Sequence, residues 1–371
     1  MFNSVEETEM LREVVQRFVQ DSYLSDVDSK SRNLHLKYNK KRWKSIVDMG
    51  WLELATLDRP GGSGNTYALL CALMESLGAG VVSEPFLSEV SLGGGLLERM
   101  KRSSLTDVLL AAWHNGEAHF ALAYRTKRNS ACFCDPFEGV KGVRCQDGIE
   151  VQGMRQGVID GGTASHFLVT GRVDNMPSTI LIPANAQGMR VLRRETFDGR
   201  TIADLELSSV LVPSTNLIAS GDDVRSAVEQ SLICFVLLGV AESLGIIKVL
   251  FDLTHSYLID RHQFGSKLAD FQALQHRLVD IHISIERLQS LVHLAVLSAD
   301  KQGLENAKDI ILKARLQAVK TGGFVGKEVI QLHGAIGMTD ELMVGHYFKR
   351  LTGNELIAGN ESEYNIVLGD G

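Results

Sequence analysis

Several features that mark whole classes of protein are scarce or missing in this 371-residue chain. Its five cysteines, Cys71, Cys132, Cys134, Cys145 and Cys234, are an odd number scattered over a long sequence. That is too few for a disulfide framework. Cys132 and Cys134 have no second Cys/His pair at ligand spacing beside them, so reduced structural thiols are expected rather than a zinc site. There is no basic excess: 38 Lys and Arg stand against 45 Asp and Glu, a net charge of −7. Counterion release on nucleic acid needs Lys and Arg gathered on one face. The densest basic runs, Lys40-Lys41-Arg42 and Arg99-Met100-Lys101-Arg102, are short and read as solvated helix ends. Nucleic acid is therefore not an expected partner. No run of the length that spans a bilayer is expected, and the acidic start, Met1-Phe2-Asn3-Ser4-Val5-Glu6-Glu7, lacks the pattern of a signal peptide. A cytoplasmic protein without a membrane partner is the expectation.

What is present is ordinary globular composition, 44% hydrophobic and 22% charged, which excludes a mainly disordered or collagen-like chain. From Ser4 to Arg102 apolar residues recur at helical spacing: Met10, Val14, Val15 and Phe18, then Trp43, Ile46 and Val47, then Leu69, Leu70, Leu73, Met74 and Leu77. Glycine breaks fall at 60–64 and 93–95 and read as loops or helix caps, since neither follows a strand or carries a phosphate-loop Lys-Ser/Thr. Between Ala118 and Ser220 short β-branched runs at 148–151, 167–170, 179–182 and 205–212 predict strands joined by hairpin turns. A small antiparallel barrel or sandwich is expected there. Long helical patterns return at 231–257, 271–300, 306–332 and 342–350, which predicts an antiparallel bundle. His255, His276, His282 and His293 fall in these helices, but no two stand at i and i+4, so they read as surface or capping residues rather than ligands. The expected fold is α+β, divided as 1–115 (N-terminal α-helical), 116–220 (middle antiparallel β) and 221–371 (C-terminal four-helix bundle).

Two motifs are specific. Arg261-His262-Gln263-Phe264-Gly265, followed by Phe271-Gln272-Ala273-Leu274-Gln275, puts a guanidinium fork and side-chain amides on the link between two helices, a set suited to a pyrophosphate. Gln331-Leu332-His333-Gly334-Ala335-Ile336-Gly337 interrupts a helix end with small residues that let a ligand approach the backbone.

Together with Trp43, Gly50-Trp51-Leu52 and Met74-Glu75-Ser76-Leu77-Gly78, these motifs resemble the acyl-CoA dehydrogenase family along nearly the whole chain. The resemblance implies FAD as cofactor, an acyl-CoA thioester desaturated between Cα and Cβ, and electron-transfer flavoprotein as acceptor. It implies a dimer of dimers in which the adenosine and pyrophosphate arm of each FAD is held by the neighbouring subunit, through residues matching Arg261, Gln263, Phe264, Gln272, Gln331 and Gly334.

The chemistry needs a carboxylate base for the α-proton and a flavin on the opposite face of the acyl chain. Where most relatives carry the base, in a Tyr-Glu-Gly-Thr stretch, this chain reads Ile357-Ala358-Gly359-Asn360, which puts Ala358 at the glutamate position. The alternative family position is Phe235. Neither side chain transfers a proton. In the β region, Leu122-Ala123-Tyr124-Arg125-Thr126-Lys127 replaces the family's Thr-Glu-Pro, and Gly157-Val158-Ile159-Asp160-Gly161 replaces Trp-Ile-Thr-Asn-Gly. Two flavin-bonding hydroxyls and the packing indole are absent together.

That combination resembles the small subunit of heteromeric acyl-CoA dehydrogenases, such as pimeloyl-CoA dehydrogenase and enzymes of steroid side chains, as does Gly345-His346-Tyr347-Phe348-Lys349-Arg350. The expectation is an α2β2 partner that lends the FAD arm site while a homologous catalytic subunit supplies base and flavin pocket. One rival is a self-sufficient homomeric enzyme with Glu242 as base, since a carboxylate in an apolar helix is costly unless paired or functional. The other is a scaffold without nucleotide binding. Fatty, dicarboxylic and steroid acyl groups all stay open.

Overall fold

The computed structural model describes residues 2–24, 37–58, 66–126, 135–339 and 341–369. The 60–64 break, Lys127, Cys132 and Cys134 lie outside them. Six helices come first: α1 (Phe2–Val19), α2 (Lys40–Asp48), α3 (Thr66–Ala79), α4 (Phe86–Ser91), α5 (Gly94–Arg99) and α6 (Ser104–His114). Strands β1 (Phe120–Ala123), β2 (Val140–Cys145), β3 (Gly148–Ile159), β4 (His166–Val173), β5 (Met176–Pro183), β6 (Met189–Glu195), β7 (Thr201–Val212) and β8 (Leu217–Ser220) form one sheet. The long helix α7 (Asp222–Asp260) leads to a ribbon of β9 (His262–Gln263) and β10 (Ser266–Lys267). The bundle helices α8 (Gln272–Asn306), α9 (Lys308–His333), α10 (Val344–Ala358) and α11 (Glu361–Leu368) complete the chain. This is N-terminal helices, a central sheet and a C-terminal helical bundle, gathered into two compact units. One unit holds Met1–Lys37, Asn65–Ser83 and Val236–Gly371, and the other holds Tyr38–Gly64 and Glu84–Phe235.

In the first unit, α1 buries Val15, Phe18 and Val19, while Met10 and Val14 of the expected stripe face outward. Helices α3 and α7 meet at glycines. A methyl group on Gly245 would lie 1.9 Å from the Glu75 carbonyl oxygen, and one on Gly78 would lie 2.4 Å from that of Glu242. Glu75 then ties three helices, accepting from Arg12 Nη1 and Lys248 Nζ, each at 2.8 Å. The first amides of α3 are capped at long range: Asp300 of α8 accepts from Tyr67 N and Ala68 N at 2.9 and 3.2 Å, where the helix dipole favours a carboxylate.

Helix α7 corrects the sequence expectation about apolar length. It contains an 18-residue window of mean hydropathy 2.2, and 89% of that window is buried within the protein. Its apolar character serves the core. His255, His276, His282 and His293 are all exposed, and among the described residues no group of three or more His, Cys, Asp or Glu is placed to hold a metal.

In the second unit the sheet runs β6-β7-β3-β2-β4-β5-β8, with β1 also on β4. It is mixed rather than wholly antiparallel, because β1 and β2 both pair parallel to β4. Hairpin turn signals announce only antiparallel neighbours, so sequence spacing carried no trace of these two non-local pairings. Inward residues Val140, Ile149, Val151, Phe167, Val169, Ile180, Leu205 and Val210 make the core. The β4–β5 hairpin turns through Asp174 and Asn175, at φ 49° and 69°, the left-handed pair that a two-residue turn demands. The 93–95 glycines pack rather than cradle a ligand: a methyl group on Gly94 would enter the Trp113 ring at 2.1 Å.

Candidate functional site

The first motif occupies the ribbon between α7 and α8. Phe264 and Gly265 take φ of 56° and 86° at its turn, the paired left-handed conformation of a tight hairpin. Gln263 pairs with Ser266 and His262 with Lys267. The Arg261 amide donates to the Tyr257 carbonyl at 3.0 Å, and its carbonyl accepts from Leu268 N at 2.9 Å. This pins the residue while leaving its side chain exposed. Phe264 is 88% exposed and meets Phe271 edge-on, ring centroids 6.3 Å apart. Phe271 then precedes α8 without a side-chain cap, and Gln272 in its first turn is exposed; the start of a helix favours negative charge.

The second motif closes α9. Gly334 stands at φ 66° and ψ −146°, a region open essentially to glycine alone, and nothing lies within 4 Å of where its Cβ would be. Gln331 and Gly334 are exposed, and so are Ile336 and Met338, the latter by 78%.

The structure brings the two motifs together through a pair that sequence reasoning missed. Tyr257 stacks on His333 with centroids 4.4 Å apart and planes 26° from parallel, and Tyr257 Oη donates to the His333 carbonyl at 3.4 Å. His333 Nδ1 donates to the Val329 carbonyl at 2.9 Å, which fixes the tautomer. Burial lowers the His333 pKa below the ordinary imidazole value, with the bond to Val329 opposing the shift. No sequence signal marked this pair, since Tyr257 and His333 stand on helix ends far apart in the chain.

The base positions look different. Ala358 is buried at the end of α10. Its carbonyl accepts from Tyr364 Oη at 2.6 Å, and the neighbouring Gly359 carbonyl accepts from Arg315 Nη2 at 3.2 Å. Phe235 is buried too. Glu242, the remaining candidate, is buried on α7 with its Oε1 3.3 Å from Arg350 Nη1, and Arg350 Nη2 reaches the Val81 carbonyl. The guanidinium supplies the counter-charge that a buried carboxylate needs.

In the sheet, Ala123 is fully buried and presents no hydroxyl. Gly157, at φ 61°, donates its amide to Asp204 Oδ1 at 2.9 Å. Val158 and Ile159 are buried in the core, while Asp160, at φ 52°, accepts from Ser88 Oγ at 2.6 Å. Buried Arg155 donates to the carbonyls of Tyr124, Pro136, Glu138 and Thr170, so it braces the strands.

Comparison with known proteins identifies the lineage. Residues 5–100 match Acyl-CoA dehydrogenase, N-terminal domain, and residues 237–367 match Acyl-CoA dehydrogenase, C-terminal domain. The chain belongs to the acyl-CoA dehydrogenase family. It is 25% identical to acyl-CoA dehydrogenase IpdE2 of Mycolicibacterium smegmatis, covering 96% of each chain. It is also 25% identical to acyl-CoA dehydrogenase FadE27 of Mycobacterium tuberculosis, over 88% of this chain and 86% of that one. Among solved structures, the Tcur3481-Tcur3483 steroid ACAD superposes with TM-score 0.81 at 25% identity, over 99% of this chain and 98% of that one. The ChsE4-ChsE5 complex of M. tuberculosis gives TM-score 0.83 at 21% identity, over 98% and 96%, and shows the same fold.

FAD is the cofactor of this acyl-CoA dehydrogenase family. The residues here fit one part of it. Exposed Arg261, Gln263, Gln272 and Gln331, the uncapped start of α8 and the open Gly334 turn suit the pyrophosphate arm. The sheet offers no matching hydroxyl for the flavin ring at Ala123 or Ile159.

Proposed function

We propose that this chain is the non-catalytic-base subunit of a heteromeric FAD-dependent acyl-CoA dehydrogenase, an α2β2 assembly with a homologous catalytic subunit. The observation that carries the reading is the contrast within one unit between an exposed, intact arm site around Arg261 and Gly334 and a base position closed into the core as Ala358. FAD, when bound, supplies the electron sink for desaturating an acyl thioester between Cα and Cβ. This chain contributes binding. Arg261 offers a two-pronged cation to the pyrophosphate; Gln263, Gln272 and Gln331 offer amides; Gly334 lets the cofactor reach the backbone; Phe264 and Met338 exclude water once covered by the partner. The partner supplies the carboxylate base and the ring pocket, and electron-transfer flavoprotein takes the electrons.

The steroid enzyme among the 25%-identical structures favours a bulky polycyclic acyl-CoA over fatty or dicarboxylic ones. The homomeric alternative with Glu242 as base is disfavoured by its ion pair with Arg350. The scaffold alternative is disfavoured by retention of the whole arm set.

Arg261→Ala in the co-expressed complex tests the assignment. Removing charge-assisted contacts with the pyrophosphate is expected to lower FAD affinity by about tenfold or more while the subunits still co-purify. Unchanged FAD content would transfer support to the scaffold reading.

A further inference from the structure

Two side chains behind the arm site are not among its exposed residues. Tyr257 lies half-buried in the last turn of α7, and its carbonyl holds the Arg261 amide at 3.0 Å. His333 ends α9, is 5% exposed, and directly precedes Gly334. Each is therefore fixed to the backbone of one arm residue, and their rings stack with centroids 4.4 Å apart. The stack joins two helix ends that are 76 residues apart in the chain.

The joint is held at several points. Tyr257 Oη donates to the His333 carbonyl at 3.4 Å, and His333 Nδ1 donates to the Val329 carbonyl at 2.9 Å, one turn back in α9. A methyl group on Gly337 would lie 2.9 Å from His333 Cβ, so the bare backbone there leaves the ring its place. The segments that lead away from the joint are open. Phe264 is 88% exposed, and nothing lies within 4 Å of where a Cβ would stand on Gly265 or Gly334. Two open segments present a guanidinium and a backbone turn to one pyrophosphate only if their roots are fixed relative to each other, because a site loosened by about 1 Å loses its directional hydrogen bonds.

We propose that Tyr257 and His333 are positioning residues for FAD, their stack setting the spacing between the Arg261 guanidinium and the Gly334 turn. They act through those two residues rather than on the cofactor. The proposal rests on the reading of this face as the FAD arm site.

FAD titration of the deflavinated, co-expressed complex, followed by flavin fluorescence, tests it, with thermal melting of the same complex as a second readout. Tyr257→Leu and His333→Leu keep apolar bulk and remove a flat face, so each should weaken FAD by about tenfold. ADP, which carries the arm without the flavin ring, should lose affinity by the same factor. Tyr257→Phe keeps the stack and drops only the 3.4 Å bond, so it should bind FAD within about twofold of the unaltered complex. Leu288→Val trims a buried residue of α8 outside both motifs; it should lower the melting temperature and leave FAD binding unchanged. Unchanged FAD affinity in both leucine variants, with a loss in Arg261→Ala, would overturn the proposal and leave the arm reading standing. Unchanged affinity in Arg261→Ala as well would overturn both. Equal weakening in Leu288→Val, or in Tyr257→Phe, would reduce the stack to general core packing or to its hydroxyl and overturn the proposal too.

Discussion

Glu242 and Arg350 show how one substitution separates two roles for a buried carboxylate. If Glu242 only holds Arg350, Glu242→Gln in the assembled enzyme should leave kcat within about twofold while costing about 3–5 kcal/mol of stability, because a buried guanidinium loses its counter-charge. A catalytic base would instead cost about 10²–10⁴ in kcat. Turnover measured well below the melting transition, together with urea denaturation, reads both quantities. Gly334 supplies a second test. Its φ of 66° and ψ of −146° exclude a side chain by backbone strain alone, since the space around it is open. Gly334→Ala is expected to cost about 1–3 kcal/mol and to lower FAD retention in the complex, measured by melting and by cofactor absorbance. At this scale the sequence was informative about chemistry that is absent, since alanine at 358 and phenylalanine at 235 carry no acid. It was silent about Tyr257 stacking on His333, because that contact joins helix ends far apart in the chain.

Helices were legible where periodicity and burial coincide, as in α3 and the long bundle helices, and less so where they part company. Val15, Phe18 and Val19 of α1 are buried whereas Met10 and Val14 are exposed, because a narrow stripe suffices for a helix packed on one side. The strands were found, but parallel pairing of β1 and β2 with β4 depends on non-local contacts that alternation does not encode. The α3–α7 crossing yields a sharp contrast. Gly245→Ala, which forces a methyl group to 1.9 Å from a carbonyl oxygen, should cost about 3 kcal/mol, whereas Gly239→Ala, with open space around it, should be neutral or stabilising by about 0.5–1 kcal/mol. Denaturant melts of the two variants check it. Nearby, burial alone would raise the Glu75 pKa, but Arg12 and Lys248 hold it below its ordinary 4.5. A depressed carboxylate stabilises the fold fully above the unfolded pKa and loses that contribution as pH falls through the folded one. Glu75→Gln should therefore destabilise by about 1–2 kcal/mol near neutrality and flatten the loss of stability below pH 4.5. Equilibrium denaturation across pH 3–7, with those limits chosen to span roughly two units around the carboxylate range, reads the effect.

At the scale of the molecule, the family was legible because the arm motifs stand in uninterrupted stretches of sequence. The proposed division of labour was legible only as a set of substitutions, and the structure adds a contrast that supports the proposal: Arg261, Gln263, Gln331 and Gly334 on the surface, Ala358 inside. Such a chain should carry little cofactor alone, since each contact missing from the ring side removes about 1 kcal/mol and their loss compounds. The most direct measurement is FAD content and acyl-CoA desaturation by this chain purified alone, compared with the chain co-expressed with its catalytic homologue. Substoichiometric FAD and no turnover alone, with both restored in the complex, is the predicted result. Stoichiometric, tightly held FAD with turnover by the isolated chain would contradict it.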